Sequence, residues 1–190
     1  MEANFCMDCG HKMETRTIKG TERKACTVCE FVFWGGYSVG VGALVIKNGK
    51  ILLVRRAEIP GKGLWTNPGG YSEQMERIEE TVIREVFEET GVTTQVKGVV
   101  ALRDLPQKVH NIYIAFMMEY IEGDPVPDGV EVDRAGFYDL REMKTMNVDV
   151  FTLWLFDIAL NEKQVGLIVD DNPIASLSER SFFRTPFDGE

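Results

Sequence analysis

Residues 70 to 92, GYSEQMERIEETVIREVFEETGV, constrain the fold more than any other part of the chain. From Arg77 to Thr90 there is neither proline nor glycine, most positions are good helix formers, and Gly91 stands where helices commonly stop. The segment is predicted to be an α-helix. At about 100° per residue, Ile78, Val82, Ile83, Val86 and Phe87 sweep out a core-facing surface, and Glu85, Glu88 and Glu89 share a separate arc about 100° wide. Like charges spaced three and four residues apart weaken a helix by a few tenths of a kcal/mol each, so three carboxylates in one arc call for a counter-charge. A hard divalent cation that takes carboxylate oxygens and substrate phosphates would supply it; the plain alternative is a solvated acidic face.

The surroundings favour the cation. From Glu73 to Glu89 seven glutamates face two arginines, a local charge of −5 out of −9 for the whole chain. Arg84, four residues before Glu88, is placed to clamp that carboxylate. Just ahead, Pro68-Gly69-Gly70 forms a loop bare of long side chains, where a backbone carbonyl can approach a metal closely.

Four cysteines occur as Cys6-x2-Cys9 and Cys26-x2-Cys29, the spacing of a zinc site. Zn²⁺ held by four thiolates can order a segment of about 30 residues too small to bury a core of its own. Two disulfides are the competing arrangement, but the N-terminal MEANFCMDCG lacks the basic start and apolar run of a secretory signal. His11 is read as a bystander, since four cysteines complete the shell. A zinc ribbon can also grip RNA, yet Lys12, Arg16, Lys19, Arg23 and Lys24 are set against Asp8, Glu14, Glu22 and Glu30, so a structural role is expected.

A chain of 190 residues with 44% hydrophobic content can hold one full core plus this small module. The expected division is a ribbon over residues 1–34, a main domain over 36–161 and an extension over 162–190. The longest charge-free stretch, Phe31 to Ile46, has 16 residues including four glycines, too short and glycine-rich to cross a bilayer, and a soluble cytoplasmic protein with no membrane partner is expected. The charge of −9 opposes nucleic acid as the main partner.

Ser38–Ile46 and Lys50–Arg56 read as strands joined by Lys47-Asn48-Gly49, a hairpin signal. Further strands are expected near Val96–Leu102, Asn111–Ile121 and Ala135–Tyr138, with Glu122–Gly129 as a loop. A second helix is expected over Val150–Asn161, where Phe151, Leu155 and Ile158 share a face with Trp154 close by. The result is an α/β fold, a sheet with a helix on each side. Residues 162–190 are expected to be irregular, with a short strand at Val165–Val169.

Gly70, Glu76, Arg84, Glu85, Val86, Glu88, Glu89, Gly91 and Val92 satisfy one spacing rule: Gly, five residues, Glu, seven residues, then Arg-Glu-aliphatic-any-Glu-Glu-any-Gly-aliphatic. That is the Nudix box, and the chain resembles a Nudix hydrolase carrying an N-terminal four-cysteine ribbon. The resemblance implies an α/β/α sandwich with a mixed sheet and metal-dependent cleavage of a nucleoside diphosphate linked to another group. It implies Mg²⁺ or Mn²⁺ held by Glu85, Glu88, Glu89 and the Gly69 carbonyl, structural Zn²⁺ on Cys6, Cys9, Cys26 and Cys29, and a further carboxylate outside the box. Glu131 is in range for that last role, with Glu119, Glu122 and Asp133 behind it. Homodimers are common in the family.

A ribbon joined to a Nudix domain resembles the NADH pyrophosphatases and a related group acting on ADP-ribose and FAD. The NADH group carries Ser-Gln-Pro-Trp-Pro-Phe-Pro-x-Ser after the box, and Ala101-Leu102-Arg103-Asp104-Leu105-Pro106-Gln107 shares almost none of it. Gly63-Leu64-Trp65-Thr66 fits the ADP-ribose and FAD group better. The expected substrate is therefore a small dinucleotide or nucleotide sugar; RNA decapping and ligand sensing without catalysis are the alternatives. Tyr71, Trp65, Phe116 and Tyr113 are candidate ring-stacking walls, and Arg55, Arg56 and Arg103 candidate phosphate or ribose contacts. At Met75-Glu76-Arg77 the chain lacks the Ser or Thr cap many members carry, worth about 1 kcal/mol.

Overall fold

The structure, a computed structural model, describes residues 3–161, 167–169 and 183–184. They form two compact units, residues 1–38 with 105–111 and residues 39–104 with 112–190. Among the described residues no helix is long and apolar enough to cross a membrane.

In the cysteine-bearing unit, β1 (Met13–Ile18), β2 (Thr21–Cys26) and β3 (Val32–Phe33) make a small antiparallel sheet in that order. Its apolar centre is Cys6, Met13 and Cys26 packed with Phe31 and Phe33. A cluster this small cannot offset the entropy of ordering the segment without a crosslink or a metal.

The second unit is built on an eight-stranded sheet. Its strands are β4 (Tyr37–Lys47), β5 (Lys50–Arg56), β6 (Trp65–Thr66), β7 (Thr93–Leu105), β8 (His110–Glu122), β9 (Val132–Tyr138), β10 (Leu167–Val169) and β11 (Phe183–Arg184). The order is β11-β10-β7-β8-β4-β5-β6, with β9 also paired to β5. The predicted β4–β5 hairpin is present: Ile46 pairs with Ile51 and Lys47 with Lys50, and Asn48 and Gly49 take the positive φ values, 51° and 72°, of a tight primed turn. Contacts of Gly36 with His110, Ser38 with Asn111 and Gly40 with Tyr113 advance together, so β4 and β8 run parallel and the sheet is mixed.

Strand alternation splits the core. Val41, Ala43, Val45 and Leu52 pack with Val82 and Val86 of α1 (Ile78–Thr90), whereas Leu44, Ile51 and Leu53 pack with Leu155 and Phe156 of α3 (Val150–Asn161). The predicted α/β/α sandwich follows. A four-residue helix, α2 (Leu140–Met143), and the two-residue β6 are too short for periodicity to show. Of the tail strand expected at 165–169, Leu167–Val169 is found as β10, paired to β7, and the expectation of an irregular tail is corrected at Phe183–Arg184, where β11 pairs with β10; the rest of the tail, and the side chain of Ile158, lie outside the described residues.

One helix-face expectation is corrected. Phe87, read as core, is 57% exposed. The buried arc of α1 runs from Thr81 through Val82, Val86 and Glu89 to Thr90, and Phe87, five residues beyond Val82, falls about 140° from Val82 near the centre of that arc. Glu89, seven residues beyond Val82, returns to within about 20° of it. Burying Val82 therefore buries Glu89.

Candidate active site and metal sites

The start of α1 compensates for its missing cap by another route: the Arg77 N–H donates to Glu80 Oε2 at 3.2 Å. At the other end Gly91 adopts φ 66° and its N–H closes on Phe87 O at 2.7 Å, a left-handed stop. Between them the acidic arc is organised by Arg84. Its Nε and Nη2 grip Glu76 Oε1 and Oε2 at 2.7 and 3.0 Å, while Nη1 donates to both Glu85 Oε1 and Glu88 Oε2 at 2.8 Å. The expected clamp on Glu88 is thus one part of a hub joining three carboxylates. Arg84, with Thr81 Oγ1 donating at 2.9 Å, holds the Glu76 carboxyl down to about 2. The same carboxylates raise the guanidinium pKa further above its ordinary value.

The three arc glutamates differ in burial. The Glu88 side chain is 56% exposed and that of Glu85 12%; Glu89 is buried. Burial raises the Glu85 carboxyl above its usual range against the pull of Arg84. It pushes Glu89 up to about 8, opposed by a hydrogen bond from the Gly69 N–H at 2.9 Å and reinforced by the charges of Glu85, Glu131 and Asp128.

The glycine loop is shaped to this helix. Pro68 O and Gly70 O accept from Ala43 and Val41 N–H on β4 at 2.8 Å, and alternation puts the Gly69 N–H on the opposite side, toward Glu89. Gly69 has φ 156°, and a Cβ there would lie 2.1 Å from Val41 O. At Gly70 a Cβ would lie 2.3 Å from Glu85 Cδ. The box glycine is small because a carboxylate occupies the space a side chain would need.

Outside the box, Glu131 is exposed at the end of the loop before β9, and its charge reaches both Glu85 and Glu89. Asp128 fixes that loop by accepting from the N–H groups of Val130, Glu131 and Val132 at 3.0, 3.2 and 3.0 Å. Glu119 is paired with Lys97, and Asp133 forms a two-pronged pair with Arg55 at 2.7 and 2.8 Å. Arg56 Nε donates to Pro60 O. Trp65 and Phe116, two candidate walls, are core residues; Tyr71 is 65% exposed; the Tyr113 hydroxyl is enclosed by Asn67, whose Nδ2 donates to it at 3.0 Å. Burial pushes that hydroxyl up to about 12. Asn67, Thr152 and Asp128 are structural parts of the site region that composition and periodicity do not mark, although Asp128 lies in the loop expected over Glu122–Gly129.

Cys6, Cys9, Cys26 and Cys29 place all four sulfurs within 4.8 Å of one another. Separations of 3.6 Å for Cys6–Cys29, 3.4 Å for Cys9–Cys26 and 3.5 Å for Cys9–Cys29 approach the roughly 3.8 Å edge of a tetrahedron with Zn–S near 2.3 Å. The Cys29 and Val28 N–H groups, each 3.4 Å from Cys26 Sγ, pull that thiol down to about 6. The His11 Nδ1 lies 3.1 Å from Cys9 O, outside the sulfur cluster. Among the described residues the four cysteines are the one group of three or more such donors gathered this tightly; the box carboxylates are held apart on Arg84 and Gly69. Three hard oxygen donors beside an open glycine loop nevertheless suit a hard divalent ion, as four thiols suit zinc.

A mixed sheet between helices, with an acidic helix seated on a double-glycine loop, defines the NUDIX class of domain. The NUDIX domain model matches residues 36–154, and the chain belongs to that family. It is 36% identical over 115 residues to an ADP-ribose pyrophosphatase of Methanocaldococcus jannaschii, covering 59% of this chain and 68% of that protein. It is 28% identical over 142 residues to the NAD-capped RNA hydrolase NudC of Stutzerimonas stutzeri, covering 75% of this chain but 50% of that one. A NUDIX hydrolase from Nitrosomonas europaea has a similar structure, with TM-score 0.69 at 24% identity over 81% of this chain and 91% of that one; that likeness shows the fold.

The elevated Glu89 gives a pH test. A carboxyl raised from 4.5 to about 8 in the folded state contributes stability that is complete below pH 4.5 and is lost as pH rises toward 8. In buffer free of Mg²⁺ and Mn²⁺, Glu89→Gln should melt above the unaltered protein at pH 8 and close to it at pH 4.5; thermal scans at the two pH values provide the check.

Proposed function

We propose that this chain is a metal-dependent hydrolase that cleaves the pyrophosphate bond of a nucleoside diphosphate linked to another group, of the ADP-ribose, FAD or NADH class, and releases a nucleoside monophosphate. The observation that carries this reading is the set of three arc carboxylates of graded burial, tied to Arg84 and to the Gly69-Gly70 loop. An ADP-ribose pyrophosphatase among the relatives supports the substrate class.

Glu85, Glu88, Glu89 and the Gly69 carbonyl would hold Mg²⁺ or Mn²⁺, which when bound neutralises charge on the pyrophosphate and eases ionisation of the attacking water. The protein's part is positional. Arg84 fixes Glu85 and Glu88 in place, and Glu76 fixes Arg84. Buried Glu89, whose carboxyl burial raises, would have to be ionised to hold a cation, which would couple metal affinity to pH. Glu131, exposed and with its charge felt at Glu85 and Glu89, would accept the proton of the attacking water at its carboxylate. The cysteine cluster would hold zinc structurally, and four unpaired thiols suit a reducing, cytoplasmic setting. The partner is then a small nucleotide rather than a polymer.

A second reading, hydrolysis at the capped end of RNA, is favoured by the likeness to NudC proteins, whose length this chain spans by about half. The chain charge of −9 weighs against extended contact with RNA. A ligand sensor without catalysis has less support, since every box glutamate is kept.

A hydrolysis panel of ADP-ribose, FAD, NADH, a nucleoside triphosphate and NAD-capped RNA, with Mg²⁺ or Mn²⁺ and products identified by mass, should show AMP released from a free dinucleotide; turnover of capped RNA alone would select the second reading. Glu88 is exposed enough for Glu88→Gln to fold, and that change should cut turnover by about two orders of magnitude. Metal analysis should find about one zinc per chain, lost in Cys26→Ser and retained in Glu88→Gln.

A further inference from the structure

Behind the glycine loop, a continuous series of rings and one guanidinium leads from the box to the surface. Gly69 lies so close to Gly42 that a Cβ on the former would sit 2.7 Å from the latter's Cα. A Cβ on Gly42 would in turn sit 1.7 Å from the Tyr113 hydroxyl and 2.4 Å from Asn67 Nδ2. Gly42 must therefore lack a side chain for Tyr113 to lie behind the loop, and Gly69 must lack one for that loop to lie against Gly42. The Tyr113 ring meets Phe151 edge to face at 5.5 Å, and Phe151 stacks on Trp154 at 5.6 Å with planes 20° apart. The Arg103 guanidinium lies over both Tyr113 and Phe151, at 5.0 and 4.8 Å from the ring centres.

The series ends in solvent. Trp154 is 48% exposed, and Val150 and Leu153 beside it on α3 are 79% and 41% exposed. A large indole left half in water and aligned nearly parallel to the ring beneath it presents aromatic surface to solvent among the described residues, whereas core aromatics of this domain such as Phe116 and Phe156 are enclosed. The Arg103 guanidinium over Phe151, the first ring inward, adds positive charge behind the indole.

From this geometry we infer that Trp154, backed by Phe151 and Arg103, is the stacking subsite for the planar heteroaromatic ring of the substrate, the purine or flavin class of ring. The inference rests on the pyrophosphatase reading for its substrate but not for its binding surface. Trp154 supplies the contact face, Phe151 holds its plane, and Arg103 fixes Phe151 against Tyr113 while setting the polarity around the ring. Trp154 determines which nucleotides bind and takes no part in bond cleavage, so its removal should appear in KM and leave kcat in place.

The test uses the full chain and two readouts. For whichever dinucleotide the protein hydrolyses, Trp154→Ala should raise KM about tenfold at unchanged kcat, the loss expected when one ring loses its stacking partner, and Trp154→Phe should restore most of it. Binding of AMP or FMN followed by tryptophan fluorescence needs no turnover: quenching should be present in the unaltered protein and absent in Trp154→Ala, with far-ultraviolet circular dichroism confirming the fold. Unchanged KM and unchanged quenching in folded Trp154→Ala would overturn the subsite. So would a concentration-dependent oligomer that Trp154→Ala dissolves while AMP quenching is absent, which would make this face a contact between copies of the chain. Quenching that depends on Trp154 in a protein that hydrolyses nothing would leave the subsite standing and remove the pyrophosphatase reading instead.

Discussion

Arg84 is the counter-charge on which the acidic helix depends. Glu85 and Glu88 on α1 and Glu76 just before it lie within hydrogen-bond reach of one guanidinium and would otherwise repel, and Arg84 turns that repulsion into fixed geometry. Its two ends do different jobs. The grip on Glu76 uses both oxygens and anchors the arginine to the segment before the helix; the remaining nitrogen is then shared by Glu85 and Glu88. The guanidinium is about one third exposed, so the network is only partly screened by water, and its value lies in orientation more than in stability.

The same helix is locked to the sheet by an unusual choice of buried group. Packing Val82 and Val86 against β4 carries Glu89 into the interior, and its carboxylate finds the Gly69 N–H there. The double-glycine loop has room for this arrangement because Gly69 lies against the β4 backbone and Gly70 lies under Glu85. Helix, loop and strand thus meet at atoms too close for any side chain to intervene. A protein selected for stability alone would place an apolar residue at position 89; burying a carboxyl there raises its pKa.

The frame was legible in the chain because its signals are local. Helix formers bounded by Gly91 gave α1, Asn48-Gly49 gave the β4–β5 turn, and the cysteine spacing anticipated a sulfur cluster that is found within 4.8 Å. The misreadings share a cause. Phe87 was placed inward because periodicity counts apolar residues and cannot see that the buried arc is centred nearer Glu89. Asp128, Asn67 and Thr152 act through hydrogen bonds to partners brought near by the fold, as in Thr152 Oγ1 donating to Asn67 Oδ1 at 3.1 Å across 85 positions of sequence, and no window of sequence contains both ends. Among the downstream acids, Glu119 and Asp133 are set apart from Glu131 by ion pairs with Lys97 and Arg55, which spacing could not reveal.

The central claim is that the box carboxylates form a divalent-cation site separate from the cysteine cluster. Mn²⁺ binding to the zinc-loaded protein, followed by electron paramagnetic resonance in parallel with Glu85→Gln and Cys26→Ser variants, tests it most directly. The account predicts saturable Mn²⁺ binding that Glu85→Gln weakens at least about tenfold and that does not depend on the cysteines; equal Mn²⁺ affinity in folded Glu85→Gln, or loss of it on removing Cys26 alone, would contradict it.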